Sequence, residues 1–453
     1  MRGKRRIGAP YASEPMPLWR NWAGDQRCAP VAIDEPASEA EVVACVERAQ
    51  DTGRRIRAVG SGHSFTDIAC TDGHMLRLNR MNRVLDADTG TGLVRVQPGI
   101  TLHDLGGHLA ERGLALENQG DIDAQALGGA IATGTHGTGA GFPNLSAQVE
   151  ALRLVTADGS VLALPSDEDA ASFLAARVGL GALGVITEVT LRCHPIYTLR
   201  RVDEPRPLAE TLIALDEHVD SNDHFELFAF PYADVALTRS TERSDRAPEP
   251  VDPRAAWLRE TVLENRVLDL CCRAGRLAPP LVPAINRTLT RAFRRSVLTE
   301  RSHRVYATRR EVRFTEMEYA LPRAAVAVCV ERVMDLVERR RLPVGFPIEV
   351  RFSAPDDAYL SPAHGRESGY VAVHMYRGVE FESYFRAVEA IMHEYGGRPH
   401  WGKRHYRTSA ELSELYPDWG RFRDVHARLD PSGLFANDYV DRVLGPVAVA
   451  APA

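Results

Sequence analysis

The 453-residue sequence lacks the features that mark membrane-spanning and secreted proteins. It contains no run of eighteen apolar residues, which excludes a transmembrane helix. Its basic start, from Arg2 to Arg6, is followed by Gly, Pro and Tyr, so no secretory signal is predicted. The seven cysteines form no CxxC pair, and their odd number favours reduced thiols. We therefore expect a cytoplasmic protein, with peripheral contact to a membrane as a further option.

Other classes of function are disfavoured by missing motifs. The formal net charge is −6 and no long basic run occurs, so we expect no nucleic-acid partner. His393-Glu394 lacks the second histidine of an HExxH zinc motif, and Gly62–Thr66 is not a GxSxG serine-hydrolase motif. The sequence therefore predicts neither a metal site nor a serine hydrolase.

The composition is that of an ordinary globular protein, with 44% hydrophobic and 26% charged residues. Short strand-like and helix-like segments alternate irregularly up to position 195, which is typical of an α+β fold. Longer elements follow and predict a second domain with helices over an antiparallel sheet. The predicted helices of that domain are Pro205–Val219, Asp252–Ala278, Arg323–Arg341 and Phe381–Tyr395, and the predicted strands are Phe225–Tyr232, Phe346–Ser353 and Tyr370–Met375.

The segment Arg57–Phe65 predicts a buried strand that enters a tight loop, with His63 near the end of the loop. Gly60 and Gly62 permit backbone angles and close approaches that a Cβ would block. Successive backbone N–H groups in such a turn suit a diphosphate. An imidazole at that point can bond to a cofactor ring, although a solvent-exposed turn is an equally good interpretation of the loop alone.

The segment Gly128–Gly141 consists almost entirely of Gly, Ala and Thr. Side chains this small cannot form a core around themselves, so the segment either packs against something large or brings its backbone to a ligand. A flexible linker is the alternative, and Ile131 and His136 count against it.

The segment Gly179–Gly184 is a literal GxGxxG. A dinucleotide fingerprint must follow a strand and open a helix. Here a predicted helix precedes the glycines and a predicted strand follows them, so we reject an NAD-type site.

Three sets in the second half of the chain can carry chemistry. Glu349 and Arg351 are two apart in a predicted strand and face the same side, either as a ligand-binding pair or as a structural salt bridge. His374 stands alone in a strand, where a satisfied core histidine is the common case. His400–His405 is a dense cluster of aromatic and ionisable groups.

Five motifs occur in the order typical of one family, and together they extend over nearly the whole chain. They are Arg57–Phe65, Gly128–Gly141, Gly179–Thr187, Glu349–Arg351 and His400–Lys403. In these motifs the sequence resembles the aldonolactone oxidoreductases of the vanillyl-alcohol-oxidase flavoprotein superfamily. That group contains L-gulono-1,4-lactone oxidases and dehydrogenases, D-arabinono-lactone oxidases and alditol oxidases.

The resemblance implies an α+β fold with two parts. One is a two-subdomain FAD-binding domain of the vanillyl-alcohol-oxidase (PCMH) type, and the other is an α+β cap domain with an antiparallel sheet. The implied division is an N-terminal arm (1–25), the FAD-binding domain (26–197), the substrate or cap domain (198–400) and a C-terminal segment (401–453) that completes the active site.

The resemblance also implies FAD as the cofactor, bound covalently through His63 at the flavin 8α-methyl group. Asp121 stands where several members of the family have serine. The implied cofactor-binding residues are Ala58, Val59, Gly60, Ser61, Gly62, His63, Ser64, Asp121, Gly129, Thr133, Gly134, Thr135, His136, Thr138, Gly184, Val185, Ile186, His400 and Lys403.

By the same resemblance, the catalytic residues are Glu349, Arg351, Lys403, His374 and Asp121. They would serve hydride transfer from the carbinol carbon beside a lactone carbonyl to flavin N5. Arg351 and Lys403 would hold the developing oxyanion. Either His374 or Glu349 would accept the hydroxyl proton.

The implied substrate is a sugar lactone such as L-gulono-1,4-lactone, which would give an ascorbate-type product; an alditol is the alternative. Electrons would then pass to O₂ or to a cytochrome or quinone. Pro98, at the family position beside the flavin C4a, favours access of O₂. Two further hypotheses are another carbohydrate oxidase of this fold and a flavin-binding protein without turnover. The Glu349–Arg351 pair and the HWxK motif at His400–Lys403 count against both of these hypotheses.

Overall fold

The computed structural model describes residues 17–447 except 166, 251, 253, 255–264 and 309. The strands are β1 Trp19–Arg20, β2 Arg27–Cys28, β3 Ala32–Asp34, β4 Ile56–Val59, β5 His74–Arg77, β6 Val84–Asp88, β7 Leu93–Val96, β8 Leu114–Ala115, β9 Val149–Val155, β10 Val161–Pro165, β11 Val185–Arg192, β12 His194–Pro195, β13 Thr198–Pro207, β14 His224–Ala229, β15 Val235–Ser244, β16 Ser296–Arg301, β17 Phe314–Pro322, β18 Ile348–Ser353, β19 Ser368–Tyr376 and β20 Arg398–Pro399.

The helices are α1 Glu39–Asp51, α2 Leu102–Glu111, α3 Leu127–Ala132, α4 Ala170–Arg177, α5 Leu208–Ile213, α6 Leu215–Asp220, α7 Leu268–Leu277, α8 Val282–Ala292, α9 Ser302–Tyr306, α10 Val326–Arg340, α11 Glu382–Glu394, α12 Ser409–Leu415, α13 Trp419–Leu429 and α14 Asp438–Leu444. None of these helices is long and apolar enough to cross a membrane. The first sixteen residues of the predicted arm and much of the predicted helix Asp252–Ala278 lie outside the described residues.

Two sheets form the main framework of the chain before residue 198. Strands β3, β5 and β4 form a parallel sheet, and β10, β9, β11, β7 and β6 form an antiparallel one. Helix α1 begins after Ser38, whose side chain accepts a hydrogen bond from the backbone N–H of Glu41. Its buried face, with Val42 and Val46, shares an apolar core with Ile56 of β4.

After residue 198 the described strands form one large antiparallel sheet in the order β16-β13-β15-β14-β18-β19-β17-β20. Side chains alternate between its faces. Met317, Val350 and Val373 share an apolar core with residues of α10 and α11. Glu316 and Glu349 lie on the opposite face. The predicted α+β fold with an antiparallel cap sheet is confirmed, while the four domain bounds remain predictions.

One predicted helix is wrong at its start. Pro205 and Pro207 lie in strand β13, and helix α5 begins only at Leu208. The register between β13 and β16 ends at Asp203, so the two prolines follow the last paired residue on that edge. Proline lacks a backbone N–H donor. The N–H positions of two strand residues that are two apart face the same edge of the strand, and β16 does not pair with this part of that edge, so no hydrogen bond to β16 is lost.

The chain after residue 401 returns to the first half of the molecule. Trp401, Phe422 and Tyr439 are buried in the same apolar core as Val96 and Leu152 of the five-stranded sheet. This return carries the HWxK motif to the boundary between the two halves.

Candidate active site

The glycine loop after β4 has the backbone that its sequence predicts. Gly62 has φ +68°, and a Cβ at this position would lie 3.1 Å from the ring of Trp19. A Cβ on Gly60 would lie 2.7 Å from the Cβ of Ala126, closer than side-chain carbons approach. Two glycines therefore allow this loop to pass close to its neighbours.

The glycine loop lines a cleft of about 120 Å³. Pro98 lines the same cleft. The predicted cofactor residues in its lining are Ala58, Val59, Gly60, Ser61, Gly62, His63, Ser64, Gly129, Thr133, Gly184 and Ile186.

The other predicted cofactor residues lie elsewhere. Gly134, Thr135, His136 and Val185 are outside the lining of the cleft, and Thr138 lines a second cavity beneath the cap sheet. Asp121 lines that second cavity as well. His400 and Lys403 contact residues of the cap sheet instead.

Arg57 forms hydrogen bonds to several chain segments at the base of the cleft. Its guanidinium is 3% exposed and donates hydrogen bonds to the carbonyl groups of Ile68, Leu180, Gly181 and Phe435 at 2.6–3.0 Å. Burial lowers the pKa of Arg57 to about 10, so the side chain stays cationic at neutral pH. Sequence reasoning did not assign Arg57 a role of its own.

His63 extends from the glycine loop into the cleft. Its ring stacks on the indole of Trp22, with 5.3 Å between centroids and 23° between planes. Burial and the charges of Arg313 and Lys403 lower the pKa of His63 to about 4. The imidazole is therefore neutral at neutral pH and keeps a lone pair that can act as a nucleophile.

The backbone joins the HWxK motif to the glycine loop. The N–H of Phe65 donates to the carbonyl of Gly402 at 2.7 Å. Trp401 is fully buried, and its indole N–H donates to the carbonyl of Leu360 at 2.6 Å. The ammonium of Lys403 lies 5.2 Å from the centroid of the Phe65 ring. These contacts hold Lys403 beside the loop that carries His63.

Sequence reasoning missed the carboxylate that holds Lys403. Glu316 of β17 pairs with the ammonium of Lys403, and its second oxygen lies 3.4 Å from Nε2 of His374. Burial opposes the charged form, but Lys403 and His374 lower the pKa of Glu316 overall. The available signal was the alternation in Phe-Thr-Glu-Met-Glu-Tyr, which puts Glu316 and Glu318 on one face of an apolar strand.

Glu349 and Arg351 contact each other directly, as their two-residue spacing predicts. The guanidinium of Arg351 also reaches Asp121, with Nη2 3.0 Å from Oδ1, and Glu226, with Nε 3.4 Å from Oε2. Burial would raise the pKa of Asp121, but Arg351 and Arg310 hold it below its usual range. Asp121 is therefore an anion that contacts both Arg351 and Arg310.

Glu349 and His374 are neighbours, with Oε2 and Nε2 3.8 Å apart, but their pKa values are shifted by different causes. Burial raises the pKa of Glu349, and Arg351 offsets only part of this effect. Burial would lower the pKa of His374, but Glu316 and Glu349 raise it overall. His374 consequently favours the cationic form, while Glu349 binds a proton more readily than an ordinary glutamate.

A further buried cluster joins His136, Glu318 and His400, whose ligand-type atoms lie within 4.8 Å of one another. Nε2 of His136 lies 3.3 Å from a carboxylate oxygen of Glu318. Nδ1 of His400 accepts a hydrogen bond from the N–H of Gly402 at 3.0 Å, and burial lowers the pKa of His400 to about 3. The one proton of this neutral ring then sits on Nε2, which leaves no lone pair there for a metal ion.

The fold and site define a class of protein: an oxidoreductase with a cofactor cleft that meets buried carboxylates and cations. Residues 30–164 match the family described as FAD binding domain, and residues 189–443 match the family described as D-arabinono-1,4-lactone oxidase. The chain belongs to the D-arabinono-1,4-lactone oxidase family. It is an FAD-dependent oxidoreductase, as the five motifs predict.

Relatives of known activity cover nearly the whole chain. L-gulono-1,4-lactone dehydrogenase of Mycobacterium tuberculosis is 57% identical over 430 residues, which are 95% of this chain and 100% of that protein. L-gulonolactone oxidase of Mus musculus is 35% identical over 94% of this chain and 98% of that protein. Alditol oxidase of Streptomyces sp. is 31% identical with the same two coverages.

Solved structures support the fold. A solvent-stable cholesterol oxidase superposes with a TM-score of 0.80 and 19% identity, over 97% of this chain and 100% of the other. At this identity the likeness concerns architecture alone.

Proposed function

We propose that the protein oxidises a sugar lactone, with L-gulono-1,4-lactone as the substrate, at the carbinol carbon beside the lactone carbonyl. The observation that carries this proposal is the convergence of Glu349, Arg351, His374 and Lys403, which connect through Glu316. Such a set can hold a hydroxyl group and accept its proton. The 57% identity to an L-gulono-1,4-lactone dehydrogenase supports this substrate.

The cleft fits FAD because Gly60 and Gly62 in its lining carry no side chain, which leaves the backbone of the loop open to a diphosphate. We assign the lining residues of the glycine loop, with Gly129, Thr133, Gly184 and Ile186, to cofactor binding. When bound, FAD supplies the two-electron acceptor for the hydride. His63 would hold it covalently, since its neutral imidazole faces the cleft.

The proton of the substrate hydroxyl goes to Glu349 in this proposal. Glu316 and Glu349 raise the pKa of His374, so at a given pH its ring is more often already protonated than an ordinary imidazole. The raised pKa of Glu349 makes it the better acceptor of the pair. Arg351 and Lys403 stabilise the developing oxyanion, a role worth about 10²–10³ in rate for one such donor.

An alditol is the second candidate substrate, supported by the 31% identity to an alditol oxidase. Anaerobic bleaching of the flavin decides between the two. L-gulono-1,4-lactone should reduce the flavin faster than xylitol at equal concentration. The opposite order would replace the lactone by the alditol as the proposed substrate.

For the electron acceptor we propose a cytochrome or quinone rather than O₂, because the 57% identical relative is a dehydrogenase. The reduced flavin should reoxidise slowly in air and rapidly with ferricyanide or cytochrome c. Rapid reoxidation in air would instead make O₂ the acceptor, as Pro98 in the cleft favours. We also propose a cytoplasmic location, which the seven free cysteines support.

Two substitutions test the site itself. We expect Glu349→Gln and Lys403→Ala to slow flavin reduction by the lactone at least about 100-fold while flavin content stays at the wild-type level. The exposed Glu382→Gln serves as the matched control. Loss of bound flavin in both active-site variants would make those residues structural.

A further inference from the structure

A second cavity lies beside Arg351, between the Gln119–Asp121 loop and the cap strands β13, β14 and β15. Its volume is about 30 Å³, which is enough for at least one water. Its walls include Gln119, Asp121, Thr138, Glu226, Thr241 and Arg351.

The charged groups of this cavity are already paired. Glu226 lies 3.4 Å from Arg351 and 2.9 Å from Arg239, and Arg239 lies 2.7 Å from Asp203. Each contact joins neighbouring strands of the cap sheet on the face that meets the first half of the chain. Arg201, also in the wall, lies 3.5 Å from Asp203. Because these charged groups already have partners of opposite sign, the cavity suits neutral hydroxyl groups better than a phosphate or carboxylate.

The amide of Gln119 lies in the cavity wall. The side chain of Gln119 is buried, with the residue 4% exposed, and its Nε2 donates no hydrogen bond. Buried amide donors are almost always paired in native proteins, so an unpaired one in a cavity wall marks the place of a polar ligand atom or water. The hydroxyl-bearing Thr241 lies in the lining of the same cavity.

Arg351 connects this cavity to the proposed reaction centre. Its Nη2 contacts Glu349 and also lies 3.0 Å from Oδ1 of Asp121, which lines the cavity. The guanidinium of Arg351 therefore contacts both Glu349 and the cavity wall at Asp121.

We propose that this cavity binds the exocyclic diol of a six-carbon 1,4-lactone, with the amide of Gln119 donating a hydrogen bond to one of its hydroxyls. This inference rests on the proposed function, because it assigns the part of the lactone that does not react. Gln119 is thus a specificity residue for substrates with a two-carbon side chain.

The test compares two lactones on the flavin-loaded protein under anaerobic conditions. One is L-gulono-1,4-lactone, and the other is a four-carbon 1,4-lactone with the same C2 and C3 configuration and no side chain. The apparent Kd of each comes from the concentration dependence of flavin bleaching. The variants are Gln119→Leu and, on the opposite wall, Thr241→Val; the matched control is Gln50→Leu on the exposed side of α1.

We expect Gln119→Leu to raise the apparent Kd for the gulonolactone about tenfold, which equals about 1.4 kcal/mol. Thr241→Val should raise it in the same direction. Both variants should leave the Kd for the four-carbon lactone and the flavin content unchanged. An equal effect on both lactones, or no effect of either variant, would overturn the subsite while leaving the proposed function intact. A wild-type protein that neither lactone bleaches would overturn the proposed function itself, and the subsite with it.

Discussion

The imidazole of His63 stacks on the indole of Trp22, at 5.3 Å between ring centroids. The N–H of Trp22 also donates to the carbonyl of Gly62 at 2.7 Å, so the segment before β2 fixes both the backbone of the glycine loop and the ring of its histidine. The guanidinium carbon of Arg313 lies 4.5 Å from the Trp22 ring centroid. These contacts hold Trp22, and through it the ring of His63, in place.

We expect His63→Ala to retain FAD only without a covalent bond. Acid precipitation should leave yellow colour in the pellet of the wild-type protein and release it to the supernatant in the variant. Trp22→Phe keeps an aromatic neighbour and should keep the colour in the pellet. Release of the flavin from the wild-type protein would exclude the bond to His63.

Glu316 is expected to position Lys403 and His374 rather than to touch the substrate. Glu316→Gln removes the charge that pairs with both, so flavin reduction should slow about 10–100-fold, less than the loss expected for a direct donor. Loss of the carboxylate also lowers the pKa of His374, so its titration should move to lower pH. Stopped-flow reduction at several pH values measures both effects.

A purely structural role of Glu316 would leave the pH profile unmoved. The control for a buried glutamate outside the site is Glu389→Gln, whose carboxylate accepts hydrogen bonds from Tyr319 and the backbone of Tyr406. This control should fold less stably without a shift in the pH profile.

Arg57→Met should cost roughly 3 kcal/mol or more in the free energy of unfolding. The substitution leaves four buried carbonyl groups without their charged donor, and each such loss costs about 1–3 kcal/mol before relaxation. Chemical denaturation of the flavin-loaded protein gives the number. The exposed Arg54→Met should change it by less than about 0.5 kcal/mol, and an equal effect of both substitutions would refute the role of Arg57.

The raised pKa of His374 predicts a stability contribution that depends on pH. The folded protein binds this proton more tightly than the unfolded chain, so the contribution is complete below the unfolded pKa of about 6.5. It is lost as the pH rises through the folded pKa. The stability difference between wild type and His374→Gln should therefore shrink above neutral pH.

Chemical denaturation between pH 5.5 and 9 measures that difference. A difference that grows with pH would mean that His374 is neutral in the folded state.

Local patterns were enough for several parts of the fold and site. The strand before Gly60 and the order of helix and strand around Gly179–Gly184 both depend on neighbours within a few residues. The contact of Glu349 with Arg351 follows from the two-residue period of a strand. The predicted helix began too early, at Pro205, because proline and polar residues are typical of a helix start. The same residues are also compatible with a strand edge that has no partner.

The sequence by itself determined the family, the FAD loop and the types of group at the reaction centre, because these are written in short motifs. Only the tertiary structure decided which groups meet. Glu316 and Lys403 are 87 residues apart, and Asp121 and Arg351 are 230 apart. Their contacts depend on the strand order β18-β19-β17 and on the return of the C-terminal segment to the first core. That arrangement, rather than residue type, raises both pKa values: two carboxylates raise the pKa of His374, and burial raises the pKa of Glu349.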